Sequence, residues 1–329
     1  TILESLSFDD PTQKVVQWKC IEGGTEVLIK KMLGRLKDQP KFNHWAFPFM
    51  EVEVAGKGKQ YYAHVISTVP FSSLRTINTD RMKDVTNAQR SAVRSLGYWP
   101  STKVAIRFKS RWWEAKGQKG GSSYTDRSVR VVVYPSYGIG EEGPGVLIVS
   151  YTWTQDAARL GSLIKTPDWE NVLNPNRRTP PSEEVLLRVI YEDLAILHDV
   201  TVEQLRADTL DYHAFDWYGN PYTMGAFAMF SPGQYDTFYK SILGPAARGR
   251  FHFAGEVASA HHAWIAGALD SALRAVREVI RLDFSPYLDS FKETNGVSAV
   301  FRDEAQEEVH YKASLFAAAL EKIESQEEA

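Results

Sequence analysis

The 329-residue sequence contains a single cysteine, Cys20. That excludes an internal disulfide framework and any zinc site built on cysteine thiolates. It also lacks a charge excess, since 38 Lys and Arg against 41 Asp and Glu leave a formal net charge of -3. The basic residues are scattered rather than banked on one face, so nucleic acid is not an expected partner. No apolar run approaches the ~20 residues of a membrane-spanning helix. The opening residues, TILESLSFDDPTQ, carry neither the basic region nor the apolar stretch of a secretory leader. The compartment is left open between secreted and cytoplasmic. What remains, 43% hydrophobic and 24% charged residues, is the composition of an ordinary globular protein with ample core.

Hydrophobic periodicity supplies the elements. GGTEVLIKKMLGRLKD predicts a helix capped by Thr25, with Val27, Leu28, Met32, Leu33 and Leu36 at helical spacing. MEVEV, YYAHVISTVP, STKVAIRF, RSVRVVVYP and GPGVLIVSYTW predict strands. SEEVLLRVIYEDLAILHD predicts an amphipathic helix from about Ser182, with Glu183 and Glu184 in the first turn where the helix dipole favours negative charge. TPDWENVLNPNRRTPP is a proline-rich loop, and the acidic stretch after Ile280 predicts a further helix carrying Phe316, Leu320 and Ile323. GIGEEG, from Gly138 to Gly143, matches a dinucleotide-binding pattern in form only. It is followed by the strand-like VLIVSYTW rather than a helix, so a hairpin loop is expected there.

FHFAGEVASAHHAWIAGALDSALRAVREVI, Phe251 to Ile280, combines a short buried strand, Gly255 where backbone can approach a ligand, Glu256 at the strand's carboxyl edge, and a helix. That edge is where nucleotides bind in open α/β sheets. Ile265, Leu269, Ala272, Val276 and Val279 share one helix face; Gly267, Ala268, Ser271 and Ala272 make a slim surface. The first helical N–H groups, around Trp264, Ile265 and Ala266, have no intrahelical partner and suit an anionic oxygen. From the residues alone, an electron-rich ring seated here and an ordinary strand-turn-helix core element are both open readings. His261 and His262 have no companion at zinc spacing, and no metal site is expected.

FAGE followed by HHAWIAGALDSALRA resembles the C-terminal FAD-binding signature of the flavin amine oxidase family, closest to its L-amino-acid oxidases. WKCIEGGTEVL, YAHVISTVP, YWPSTKVAIRF, WWE, GGSSYTD, VVYPSYG, VLIVSYTW and DWYGNPYTMGAFAMFSPGQ occur in the family's order, from about Gln17 to Ile280. The resemblance implies an α/β (α+β mixed) fold: the C-terminal part of a Rossmann-like FAD-binding domain, a mixed-sheet substrate domain and a C-terminal helical extension. The expected boundaries are 1–70 and 236–282 for FAD-domain segments, 71–235 for the substrate domain and 283–329 for the extension.

Roles follow by resemblance. Gly255, Glu256, Trp264, Ile265, Val69 and Trp217 would contact FAD, with Glu256 on the ribityl or phosphate region. Lys103 matches the catalytic lysine that holds a water near the flavin. Tyr151 would bind the substrate carboxylate, Trp153 would wall the side-chain pocket, Phe227 and Trp217 would add aromatic surface, and Ala263 and Trp264 would flank the substrate. The implied reaction is oxidation of an L-amino acid by O2 to a 2-oxo acid, ammonia and hydrogen peroxide. An amino-acid 2-monooxygenase forming an amide, and a non-catalytic subunit, are the alternatives.

The family's N-terminal strand, Gly-rich turn and helix for the FAD diphosphate have no counterpart before Gln17. The expectation is therefore an N-terminal chain of the same precursor, separated by proteolytic processing and retained in a heteromer that itself oligomerises; the alternative is that the sequence is a fragment of a longer chain. PKFNHWAFPFMEVEV is also some ten residues short for the strand pair expected there.

Overall fold

The structure, a computed structural model, describes residues 21–36, 51–54, 58–79, 82–165, 181–284 and 286. The proline-rich loop at 166–180, the shortened segment at 41–50 and the acidic helix expected beyond residue 300 lie outside the described residues.

In chain order the principal elements are α1 (Glu26–Leu33), β1 (Glu51–Val54), β2 (Gly58–Tyr61), β3 (Val65–Ser67), α2 (Asn87–Ser95) and β4 (Ser101–Phe108). Then follow β5 (Ser122–Tyr124), β6 (Val131–Val133), β7 (Gly145–Trp153), α3 (Thr154–Gly161), α4 (Pro181–His198) and α5 (Val202–Asp208). β8 (Thr209–Asp216), β9 (Phe251–Phe253) and α6 (Ile265–Asp283) complete the set. The chain divides into two compact units, one of Thr1–Val69, Arg75–Ser95 and Phe230–Ala329, the other of Pro70–Leu74 and Leu96–Met229. The fold is a mixture of helices with several small sheets.

The second unit is built on an antiparallel sheet ordered β5-β6-β7-β4-β8. Strand alternation explains its core. Val104, Ile106 and Phe108 of β4 are fully buried on one face, beside Leu147 and Val149 of β7. α4 lays Leu186, Ile190, Tyr191 and Leu194 against this layer, and Trp113 fills it. Each such side chain contributes roughly 1.5–3 kcal/mol on leaving water. A register shift opposite Val104 and Ala105 leaves Val149 as an extra residue in β7. Both Val149 and Ser150 are therefore buried, and Tyr151 and Trp153 turn to the opposite face.

Some local expectations are revised. Thr25 precedes α1 but makes no side-chain capping bond, because its backbone is already helical, and no residue of α1 is buried. Glu183 lies in the first turn of α4, as its spacing predicts. It is wholly buried, accepting the Lys165 N–H at 3.0 Å and the Tyr212 hydroxyl at 2.5 Å. Both bonds satisfy the desolvated oxygens. GIGEEG forms the loop between β6 and β7, with Gly138, Gly140 and Gly143 all at positive φ.

In the first unit, β9 runs parallel to β3, pairing Phe251 with Val65, His252 with Ile66 and Phe253 with Ser67. α6 follows β9. Its buried face is Gly267, Ser271, Arg274 and Ala275, whereas Ile265, Leu269 and Val276 of the apolar stripe are 45%, 40% and 37% exposed. Arg274 enters the interior where its two terminal nitrogens find acceptors: Nη1 donates to the Leu243 carbonyl at 2.7 Å and to Glu278 at 2.5 Å, and Nη2 to the Phe253 carbonyl at 2.5 Å.

Candidate functional site

The candidate residues fall into two sets, one in each unit. In the second unit, the pairing of β4 with both neighbours sets Tyr151, Lys103 and Phe215 directly opposite one another across three strands. Directly opposed residues project from the same face. Lys103 Nζ lies 4.4 Å from the centre of the Tyr151 ring, a cation–π distance. The Trp153 and Tyr151 rings are 4.2 Å apart, and Phe215 meets Trp217 at 4.5 Å. The result is an aromatic surface around one amine.

That surface alters its titratable groups. Burial lowers the Lys103 pKa from the ordinary lysine range, because an ammonium loses hydration there. Burial raises the Tyr151 pKa, opposed by a hydrogen bond involving Trp153, so its phenol stays protonated. On the opposite face of the same strands, Thr102 Oγ1 and Thr152 Oγ1 sit 2.5 Å apart.

Phe227 is half-buried, next to Ala228, which pairs with Tyr98 outside the five-stranded sheet. Two members of the aromatic face escaped sequence reasoning, Phe215 and His213, whose rings lie 6.2 Å apart. The alternation of His213, Phe215 and Trp217 was the available signal.

In the first unit, the carboxyl ends of β3 and β9 lie side by side, and Ala254 N–H donates to the Ser67 carbonyl at 2.8 Å. Val69 and Gly255 continue beyond this edge. Gly255 has φ of 117°, a conformation that needs glycine, and its N–H donates to Ser271 Oγ at 2.8 Å. A Cβ placed there would meet the Thr68 carbonyl at 3.8 Å, an ordinary contact, so it is the backbone conformation and not crowding that calls for glycine. Glu256 Oε2 accepts the Ala263 N–H at 3.0 Å. This bond closes a tight turn in which Ala263 itself holds a φ of 66°.

Trp264 and Ile265, both exposed, open α6, and the Trp264 side chain does not cap the helix. The helix therefore starts with backbone N–H groups as its anion-favouring feature.

Gly267 is the residue on which this turn rests. A Cβ at that position would lie 2.2 Å from the His261 carbonyl oxygen and 2.3 Å from Ser259 Oγ. Gly267→Ala is expected to lower the unfolding free energy by about 1–3 kcal/mol, as overpacking does, checked by urea denaturation followed by circular dichroism. No group of three or more metal-ligating side chains occurs among the described residues.

Comparison with known proteins now adds to this geometry. Residues 50–280 match the family described as "Flavin containing amine oxidoreductase". The chain is 39% identical over 323 residues to L-amino-acid oxidase 4 of Hebeloma cylindrosporum, covering 91% of this chain and 50% of that protein. An L-amino-acid oxidase of Siganus canaliculatus is 35% identical over 189 residues, 57% of this chain and 32% of its own length. Among solved structures, a putrescine oxidase variant superposes with a TM-score of 0.58 at 17% identity, over 83% of this chain and 53% of that one. At that identity the likeness concerns the fold alone. The chain spans half the length of the Hebeloma protein and about a third of the Siganus protein.

Proposed function

The chain belongs to the flavin-containing amine oxidoreductase family, and from that premise we propose that it forms part of an FAD-dependent L-amino-acid oxidase. The reaction converts an L-amino acid, O2 and water into a 2-oxo acid, ammonia and hydrogen peroxide. The observation that carries the reading is the Tyr151–Lys103–Phe215 row, where a lysine of lowered pKa lies 4.4 Å over a tyrosine ring on an aromatic face.

The residues present fit a flat cofactor with an electron-rich edge. The N-terminus of α6, which has no side-chain cap, and the positive-φ turn at Gly255 are the features that favour it. On this reading Gly255, Glu256, Val69 and the Trp264 and Ile265 amides hold FAD, with Trp217 adding aromatic surface. Bound FAD supplies the two-electron acceptor for the substrate Cα–H, which a protein side chain cannot.

The remaining work falls to this chain's own groups. Tyr151, protonated through the neutral range, donates its hydroxyl to the substrate carboxylate. Trp153 and Phe227 shape the side-chain pocket and exclude water, Ala263 flanks the amino group, and Trp264 adds to the substrate contacts. Lys103 positions a water molecule at the reacting face. Holding the reacting carbon in one orientation accounts for several kcal/mol of barrier lowering. The decisive assay supplies L-amino acids to the purified protein and measures peroxide and 2-oxo acid together; an amide product, or neither product, would sink the reading.

The partner on this reading is an N-terminal polypeptide of the same precursor. One observation supports it: among the described residues, Ile265, Leu269 and Val276 of the apolar stripe on α6 are exposed. Buried helices usually hide such a stripe. Intact-mass and N-terminal analysis of the native protein should find a second chain in equal amount.

A further inference from the structure

In the first unit, a chain of ionisable groups links β3, β9 and the C-terminal half of α6. His252, on β9, is fully buried. Its Nδ1 lies 2.6 Å from Glu278 Oε2, and its Nε2 lies 3.0 Å from His64 Nδ1. On its outer side, His64 Nε2 lies 2.9 Å from Asp283 Oδ2 and 3.1 Å from Arg250 Nη1. Arg250 Nη1 also bonds Asp283 Oδ2. The charged groups facing the two rings are therefore Glu278, Arg274 and Asp283 from α6, and Arg250 from the turn before β9.

Hydrogen counting gives this chain two states. An ionised carboxylate only accepts, so the nitrogen facing Glu278 carries a hydrogen, and one further hydrogen lies between the rings. With those two alone, both rings are neutral and His64 Nε2 is bare, accepting from Arg250. A third hydrogen can be added at only one place, His64 Nε2, and it then points at Asp283. His64 and Arg250 together hold the Asp283 carboxyl below the usual carboxylate range, His64 the more strongly. Asp283 thus remains an acceptor across the range in which an imidazole gains its proton.

We propose that the His64–His252 pair is a partly buried proton-binding site whose occupancy ties the last turn of α6 to the start of β3. When the proton is bound, His64 donates to Asp283. When it is lost, two lone pairs face each other across the same contact and Asp283 is held by Arg250 alone. β9 and α6, the elements joined here, carry Gly255 and Ile265 at their other ends.

The test uses the full chain labelled with 15N. Long-range proton–nitrogen spectra at about pH 5.5 and about pH 8.5, either side of the ordinary imidazole range, report each ring nitrogen. His64 Nε2 should carry hydrogen at the lower pH and be bare at the higher, while His252 Nδ1 keeps its hydrogen at both. Exchange of the Phe284 amide, bonded to the Ile280 carbonyl at 2.9 Å, should be roughly tenfold faster at the higher pH after correction for intrinsic rates, the scale of one charge-assisted bond. Asp283→Asn, whose amide can present a donor or an acceptor, should abolish that dependence with unchanged circular dichroism. His64 Nε2 in one state at both pH values, or the same tenfold response in the variant, would overturn the proposal.

Discussion

Lys103→Met is expected to slow amino-acid oxidation by roughly 10²–10³-fold, the scale lost when a single preorganised polar group is removed from a reacting site. KM should move much less, because carboxylate recognition on the proposed reading belongs to Tyr151. Methionine preserves the length and apolar stem, so the aromatic face stays packed. The variant also has a pH signature. Burial lowers the Lys103 pKa, so in alkaline solution the unfolded chain holds the proton where the folded chain has released it. Stability should therefore rise with pH between the folded and ordinary lysine values. Methionine should remove that slope, which paired urea titrations at two alkaline pH values will read.

Arg274→Met should lower the unfolding free energy by about 3–5 kcal/mol, the usual cost of removing one partner from a buried charged network. The loss has identifiable parts. The Leu243 and Phe253 carbonyls lose their guanidinium donor, and Glu278 keeps only His252 from the pair of bonds described above. Arg274→Lys should rescue little, because a single ammonium cannot span the fork that reaches both carbonyls and a carboxylate. Urea denaturation of the two variants against the parent chain checks both statements.

Much of the second unit was legible in its sequence. β4 has the alternation that a half-buried strand requires, and the structure starts and stops it at the ends of STKVAIRF. The common side of Tyr151 and Trp153 follows from the same period of two. Their placement opposite Lys103 and Phe215 does not, since register depends on pairing between strands distant in sequence and on an extra residue at Val149. α6 is the instructive reverse. Its apolar periodicity is real, yet the buried face is the small and charged one. Close approach to the turn at Ser259 and His261 needs Gly267, and Arg274 can be buried only because carbonyls from elsewhere in the fold reach it. Neither constraint is visible in a hydropathy pattern.

The measurement closest to the centre of the proposal is the visible spectrum of the natively isolated protein, recorded anaerobically before and after adding an L-amino acid. Oxidised-flavin bands that bleach with the amino acid, but persist with the corresponding amine lacking a carboxylate, are the predicted result. A colourless protein, or bands bleached by the simple amine and not by the amino acid, would contradict it.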